Sequence, residues 1–142
     1  MEQFVLDADR LINDRPADSY HTIEVSPLTP VIGAEIGGVD LSQELPDEQL
    51  AELKRAFLAH HVLVFRDQRL TKEDHKRFAR HFGELHHNQL DDGDPAVLEV
   101  SADKDSQFVS GEDWHTDGTA DAEPSLGSML YVTRTPEPGY GG

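Results

Sequence analysis

The sequence predicts an α+β fold, mainly β, with two helices near its start. Three observations carry this reading. Short runs of β-branched residues are broken by Gly and Pro, two segments place apolar residues at helical spacing, and the helical pattern fades after Glu84. At 142 residues the chain suffices for one domain with a real core and is short for two.

Taken in order, residues 1–20 read as an N-terminal extension, and residues 21–142 as the domain. The stretches "HTIEVSPL" at 21–28 and "PVIGAEIGGVDL" at 30–41 read as short strands with tight turns or bulges, the first ending near a Pro and the second broken by Gly33, Gly37 and Gly38. Residues 47–61, "DEQLAELKRAFLAHH", set Leu50, Leu53, Phe57 and Leu58 at helical spacing, with acids in the first turn where the helix dipole favours them. "VLVF" at 62–65 is too brief for a helix and predicts a buried strand. Thr71 and Asp74 open a second helix as a capping box, Phe78 and Phe82 give it one apolar side, and Gly83 closes it. "AVLEVS" at 96–101 and "GSMLYVT" at 127–133 predict two further strands. The links around them are acidic and rich in Asp, Gly and Ser, and long ordered loops of this kind usually hold a site.

Charge narrows the function. The chain carries 28 acids against 12 basic residues, a formal charge of −16. Residues 86–142 hold 12 acids against Lys104 and Arg134, a balance of −10. Nucleic acid and anionic membranes are poor partners for such a surface. The absence of Cys excludes disulfides, thiolate metal sites and cysteine nucleophiles. The first residues, "MEQFVLDADRLINDRP", have no basic start followed by an apolar core, and no later stretch approaches the roughly 18 uncharged apolar residues of a membrane span. The expected location is the cytoplasm.

One tripeptide carries chemistry. In "DWHTDG", His115 and Asp117 lie two residues apart, beside the single Trp of the chain. On a locally extended backbone such residues project from the same side, so an imidazole and a carboxylate can close on one ion. This donor pair suits a borderline divalent metal, and two of three ligands on one face fit the 2-His-1-carboxylate arrangement of Fe(II) oxygenases; zinc accepts the same donors. Alone, the tripeptide is a weak signal, because Asp117 could equally cap a turn through Gly118 or Thr119 with His115 on the surface.

The setting adds to it. The blocks "PVIGAEIGGVDLSQELPDEQL", "VLVFRDQRLTKEDHKRFARHFGELH" and "DWHTDGTADAEPSLGSMLY", with the closing "GG", resemble in order the taurine dioxygenase (TauD/TfdA) family of Fe(II)- and 2-oxoglutarate-dependent dioxygenases, from about Ile23 to the last residue. The resemblance implies a double-stranded β-helix, the jelly-roll or cupin-like barrel, here incomplete. It implies His115 and Asp117 as iron ligands, with no acid or base role, and Trp114 packed beside the site. Fe(II), 2-oxoglutarate as co-substrate and O2 are the implied cofactors. A small organic acid such as a sulfonate is the implied substrate, hydroxylated with release of succinate and CO2. A homo-oligomer is compatible with this reading.

The same resemblance implies that the second histidine ligand and the arginine for 2-oxoglutarate lie far downstream, and that "GG" normally continues with Asp-Thr. The chain therefore reads as the N-terminal portion of such a domain, with the residues that hold 2-oxoglutarate expected beyond Gly142. His86 and His87 are the nearest local candidates to replace a third ligand, a weaker reading than a ligand from downstream. Asn88 stands where taurine enzymes have a histidine on the sulfonate, which argues against taurine itself. His60, His61, His75 and His81 read as ordinary helix residues, and Arg134 as paired with an acid. A carboxylate buried without a cation costs several kcal/mol, roughly, so turnover by these residues alone is not expected. The other reading is a non-catalytic acidic domain, or inactive fragment, that keeps the dioxygenase framework and binds a partner or a metal weakly.

Overall fold

A computed structural model describes residues 20–86, 94–102, 105–106, 111, 113–118 and 120–135. The chain divides at Thr71 into two compact units. The expected N-terminal extension lies almost wholly outside the described residues.

The first unit is built on a three-stranded sheet. β1 (Glu24–Pro27) runs antiparallel to β2 (Ala34–Gly37), with Glu24 opposite Gly37 and Pro27 opposite Ala34. The turn between them is closed by Leu28 N–H to the Gly33 carbonyl at 2.9 Å, and by the Thr29 hydroxyl, which donates to the Ile32 carbonyl. β2 pairs in parallel with β3 (Leu63–Val64). A parallel pair needs a crossover, and α1 (Asp47–His60) supplies it. The sheet order is β1-β2-β3. β3 is half-buried, less covered than a continuous apolar run predicts.

The buried face of α1 is Leu50, Leu53, Ala56 and His60, spaced by three and four residues. Together with Ile23, Ala34, Ile36 and Leu41 the apolar members form the core, and Leu53 is fully buried. Leu58, expected on that face, is 71% exposed, because the stripe follows Ala56 and His60 rather than the most apolar residues.

Polar side chains complete the unit. Glu52, 4% exposed, reaches back to the chain ahead of β1, where Oε1 accepts His21 N–H at 2.8 Å and Oε2 accepts Thr22 N–H at 2.9 Å and the Thr22 hydroxyl at 2.7 Å. Burial alone raises its carboxyl pKa. The two backbone donors, the hydroxyl and Arg55 outweigh this and pull it down to about 2. Gln68 accepts Leu41 N–H and donates to the Val39 carbonyl, tying the loop after β2 to the segment after β3.

In the second unit, α2 (Lys72–Arg80) presents Phe78 inward, against Phe82 at 5.5 Å between ring centroids. Its last turn tightens, with His81 and Phe82 N–H groups reaching three residues back to Phe78 and Ala79. Lys76 joins α2 to Asp94, whose other oxygen accepts Ala96 N–H. Bonding to Asp94 raises the Lys76 pKa, and the same bond lowers that of Asp94.

The strands expected at 96–101 and 127–133 are not found as ladders. Both segments run without regular pairing, because a strand exists through its hydrogen-bonded neighbour and no described segment supplies one. The alternation of side chains persists at 129–132: Met129 and Tyr131 are half-buried, Leu130 and Val132 exposed. The helices hold 14 and 9 residues against 4, 4 and 2 in strands, so the described part is a small open sheet with two helices. No described helix is long and apolar enough to cross a membrane.

Candidate metal centre

The segment carrying "DWHTDG" lies in the second unit and is neither helix nor strand. His115 Nε2 lies 3.4 Å from Asp117 Oδ1, so the two side chains do project to the same side. His115 Nδ1 is 2.8 Å from the Asp113 carbonyl. A carbonyl oxygen only accepts, so Nδ1 carries a proton, and the tautomer this selects has its lone pair on Nε2. Asp117 is held in the same manner: the Ser128 hydroxyl donates to Oδ2 at 3.1 Å, leaving Oδ1 toward the imidazole.

This arrangement fits a divalent cation. Two ligand atoms each about 2.1 Å from one ion, at an angle between square and tetrahedral, stand about 3.0–3.4 Å apart. Both donors are accessible, at 55% for His115 and 69% for Asp117. Among the described residues no third His, Asp or Glu completes a cluster of three. An open depression of about 380 Å³ adjoins the pair, bounded by Gly111, Asp113, Trp114 and His115.

Glycine is required at the near edge of this depression. Gly111 has φ +83°, and a Cβ there would sit 3.2 Å from His115 Cε1, so the backbone passes close beside the ring. Trp114, expected to pack beside the site, is instead fully exposed, since no described element covers it.

A profile of the taurine catabolism dioxygenase TauD, TfdA family matches residues 24–142. The chain belongs to this family. It is 36% identical over 122 residues to an alkylsulfatase of Acinetobacter baylyi, a match covering 82% of this chain and 37% of that protein. It is 33% identical over 125 residues to an (S)-phenoxypropionate/alpha-ketoglutarate-dioxygenase of Sphingobium herbicidovorans, covering 82% and 42%. The chain thus spans about two fifths of the length of these curated relatives. Among solved structures, a taurine dioxygenase from Burkholderia xenovorans superposes with a TM-score of 0.50 at 37% identity, over 56% of this chain and 32% of that one. The small open sheet and two helices are therefore those of a TauD/TfdA-family protein.

The other sequence candidates are scattered. His86 is exposed, and His87 and Asn88 lie outside the described residues. His60 is buried at the end of α1, and its carbonyl accepts Gly33 N–H. His61 adopts φ +64° at the end of that helix. His75 Nε2 meets the Met129 carbonyl at 3.2 Å, with its ring 6.3 Å from that of Tyr131, and His81 lies against Phe78. All four are helix or helix-end residues with packing or backbone roles. Arg134 is exposed. Sequence reasoning missed Asp113 and Ser128. Asp113 acts through its carbonyl, which no side-chain pattern reveals, and Ser128 is 11 residues from Asp117, beyond any local motif.

Proposed function

We propose that this chain contributes the His115 and Asp117 ligands of an Fe(II)- and 2-oxoglutarate-dependent dioxygenase acting on a small organic acid. The single observation that carries the proposal is the pairing of His115 Nε2 with Asp117 Oδ1 at 3.4 Å, with the second atom of each group already committed elsewhere. The relatives support the chemistry: their names describe an alkylsulfatase and a phenoxypropionate/alpha-ketoglutarate dioxygenase. Both names point to small organic anions.

Bound iron, with 2-oxoglutarate and O2, supplies the oxidation itself, which protein side chains cannot perform. His115 and Asp117 do not move protons. His115 donates an electron pair from Nε2 while its Nδ1–H stays on the Asp113 carbonyl, which fixes tautomer and ring orientation. Asp117 supplies one negative charge, so a ferrous ion keeps net positive charge to attract anions. In a protein of the relatives' length, the remaining ligand and the cation for the far carboxylate of 2-oxoglutarate come from the additional residues. Within residues 86–142 the balance of −10 leaves little to hold that carboxylate.

The exposure of both ligands and the lack of a third among the described residues favour a second reading for these 142 residues in isolation, a framework that binds metal weakly without turnover. One experiment separates the two. Fe(II) affinity and succinate release from 2-oxoglutarate are measured for the chain alone and with a relative's C-terminal half supplied. Recovered succinate release that is lost in His115→Ala and Asp117→Ala supports the dioxygenase. No recovery and no dependence on metal supports the inert framework.

A further inference from the structure

Each proposed ligand is a group with two polar atoms, and an ion needs only one of each. The ring of His115 is settled by its own backbone neighbourhood through Asp113. The carboxylate of Asp117 is not: its terminal torsion is broad and two-fold, and at 69% exposure water competes for both oxygens. The contact that resolves this comes from Ser128, whose hydroxyl donates to Oδ2 at 3.1 Å.

We propose that Ser128 is a positioning residue for the metal ligand Asp117, holding Oδ2 so that Oδ1 alone is offered to a divalent cation beside His115 Nε2. The inference rests on the metal-ligand reading above and names the residue that sets the coordination mode. The hydroxyl is itself placed by its segment. His75 of α2 meets the residues that follow Ser128: a carbonyl only accepts, so His75 Nε2–H donates to the Met129 carbonyl, and the His75 and Tyr131 rings lie 6.3 Å apart. The helix thus holds the backbone at 129–131, the backbone places the Ser128 hydroxyl, and the hydroxyl orients the carboxylate. Hydrogen-bond partners of metal ligands act in this manner generally, fixing which atom faces the ion.

Co(II) serves as the probe, because its visible absorption reports ligand number and geometry independently of turnover. Binding to the full chain is followed by titration calorimetry and by absorption. Ser128→Ala is expected to weaken Co(II) binding about 10- to 100-fold and to alter the spectrum of the bound ion. Ser128→Thr, which keeps the hydroxyl, stays near wild type in both. Ser128→Thr and Ser128→Val are nearly isosteric and differ in the hydroxyl, so they give the same comparison if the alanine variant does not fold. Wild-type affinity and spectrum in Ser128→Ala or Ser128→Val, with binding lost in His115→Ala and Asp117→Ala, overturn the role of Ser128 and leave the metal site standing. Equal binding by wild type and His115→Ala removes the site, and the positioning role with it.

Discussion

The two units hold their shape by different means. Residues 20–71 bury Leu53 completely, pair their strands and use the carboxylate of Glu52 to capture the backbone of His21 and Thr22. From Lys72 onward no strand is paired among the described residues, and Leu126, Leu130 and Val132 are exposed; beyond the buried Phe78 the geometry rests on polar contacts, part-buried for Lys76 to Asp94 and His75 to Met129 and exposed for Ser128 to Asp117. Buried apolar area stabilises in proportion to the water excluded, whereas an exposed polar pair contributes little because water replaces either partner. The first unit is thus held by a buried core and the proposed metal site by exposed polar contacts, so a bound ion would itself be a large share of the order around His115.

The sharpest way to break this contrast uses one residue type in both units. Leu53→Ala removes a fully buried side chain and is expected to cost about 2–5 kcal/mol. Leu130→Ala, at 86% exposure, is expected to stay within about 0.5 kcal/mol. Denaturant midpoints measure both. Equal costs would mean that Leu130 is covered in solution, by a second copy or another segment, and the contrast would fail.

A smaller effect sharpens the account of the first unit. The folded carboxyl of Glu52 titrates at about 2, below its ordinary value of 4.5. A depressed carboxyl contributes stability that is complete above the unfolded pKa and is lost as pH falls through the folded one. The contribution is therefore full above 4.5 and disappears on acidification toward 2. Glu52→Gln keeps the shape and removes the charge, so it should lower the melting midpoint at neutral pH while the gap to wild type narrows through that window. Melting curves at a series of pH values check this, and a gap independent of pH would show that the charge of Glu52 is not what holds β1.

These cases also show what the sequence made legible. The α1 boundaries are readable because acids, spacing and the following apolar run agree, and β1 and β2 because Pro and Gly punctuate them. The His115–Asp117 pairing is readable because residues two apart on a non-helical backbone share a side. Burial was less so. Leu58 looks like core and is not, while Glu52 looks like surface and is buried, since its use depends on donors 30 and 31 residues away. The segments 96–101 and 127–133 have strand composition without a ladder, because composition describes a segment and pairing describes two. Ser128 was invisible for the same reason.

The smallest expected effect lies at the edge of the metal site and separates backbone strain from ring contact. Gly111 and Gly118 both have positive φ, +83° and +63°, so a side chain at either adds a left-handed strain of about 1–2 kcal/mol. Their surroundings differ. A Cβ on Gly111 meets His115 Cε1 at 3.2 Å, whereas one on Gly118 meets Asp121 Oδ2 at 3.5 Å, an ordinary contact. The imidazole can yield, but only by swinging, and a swing lengthens either its bond to the Asp113 carbonyl or its approach to Asp117 Oδ1. Gly111→Ala should therefore weaken Co(II) binding several-fold more than Gly118→Ala, while both leave the helical circular dichroism of the chain nearly unchanged. Matching affinities in the two variants would mean that the ring is free to move without consequence, and that the orientation of His115 matters less to the ion than its hydrogen bond to Asp113 implies.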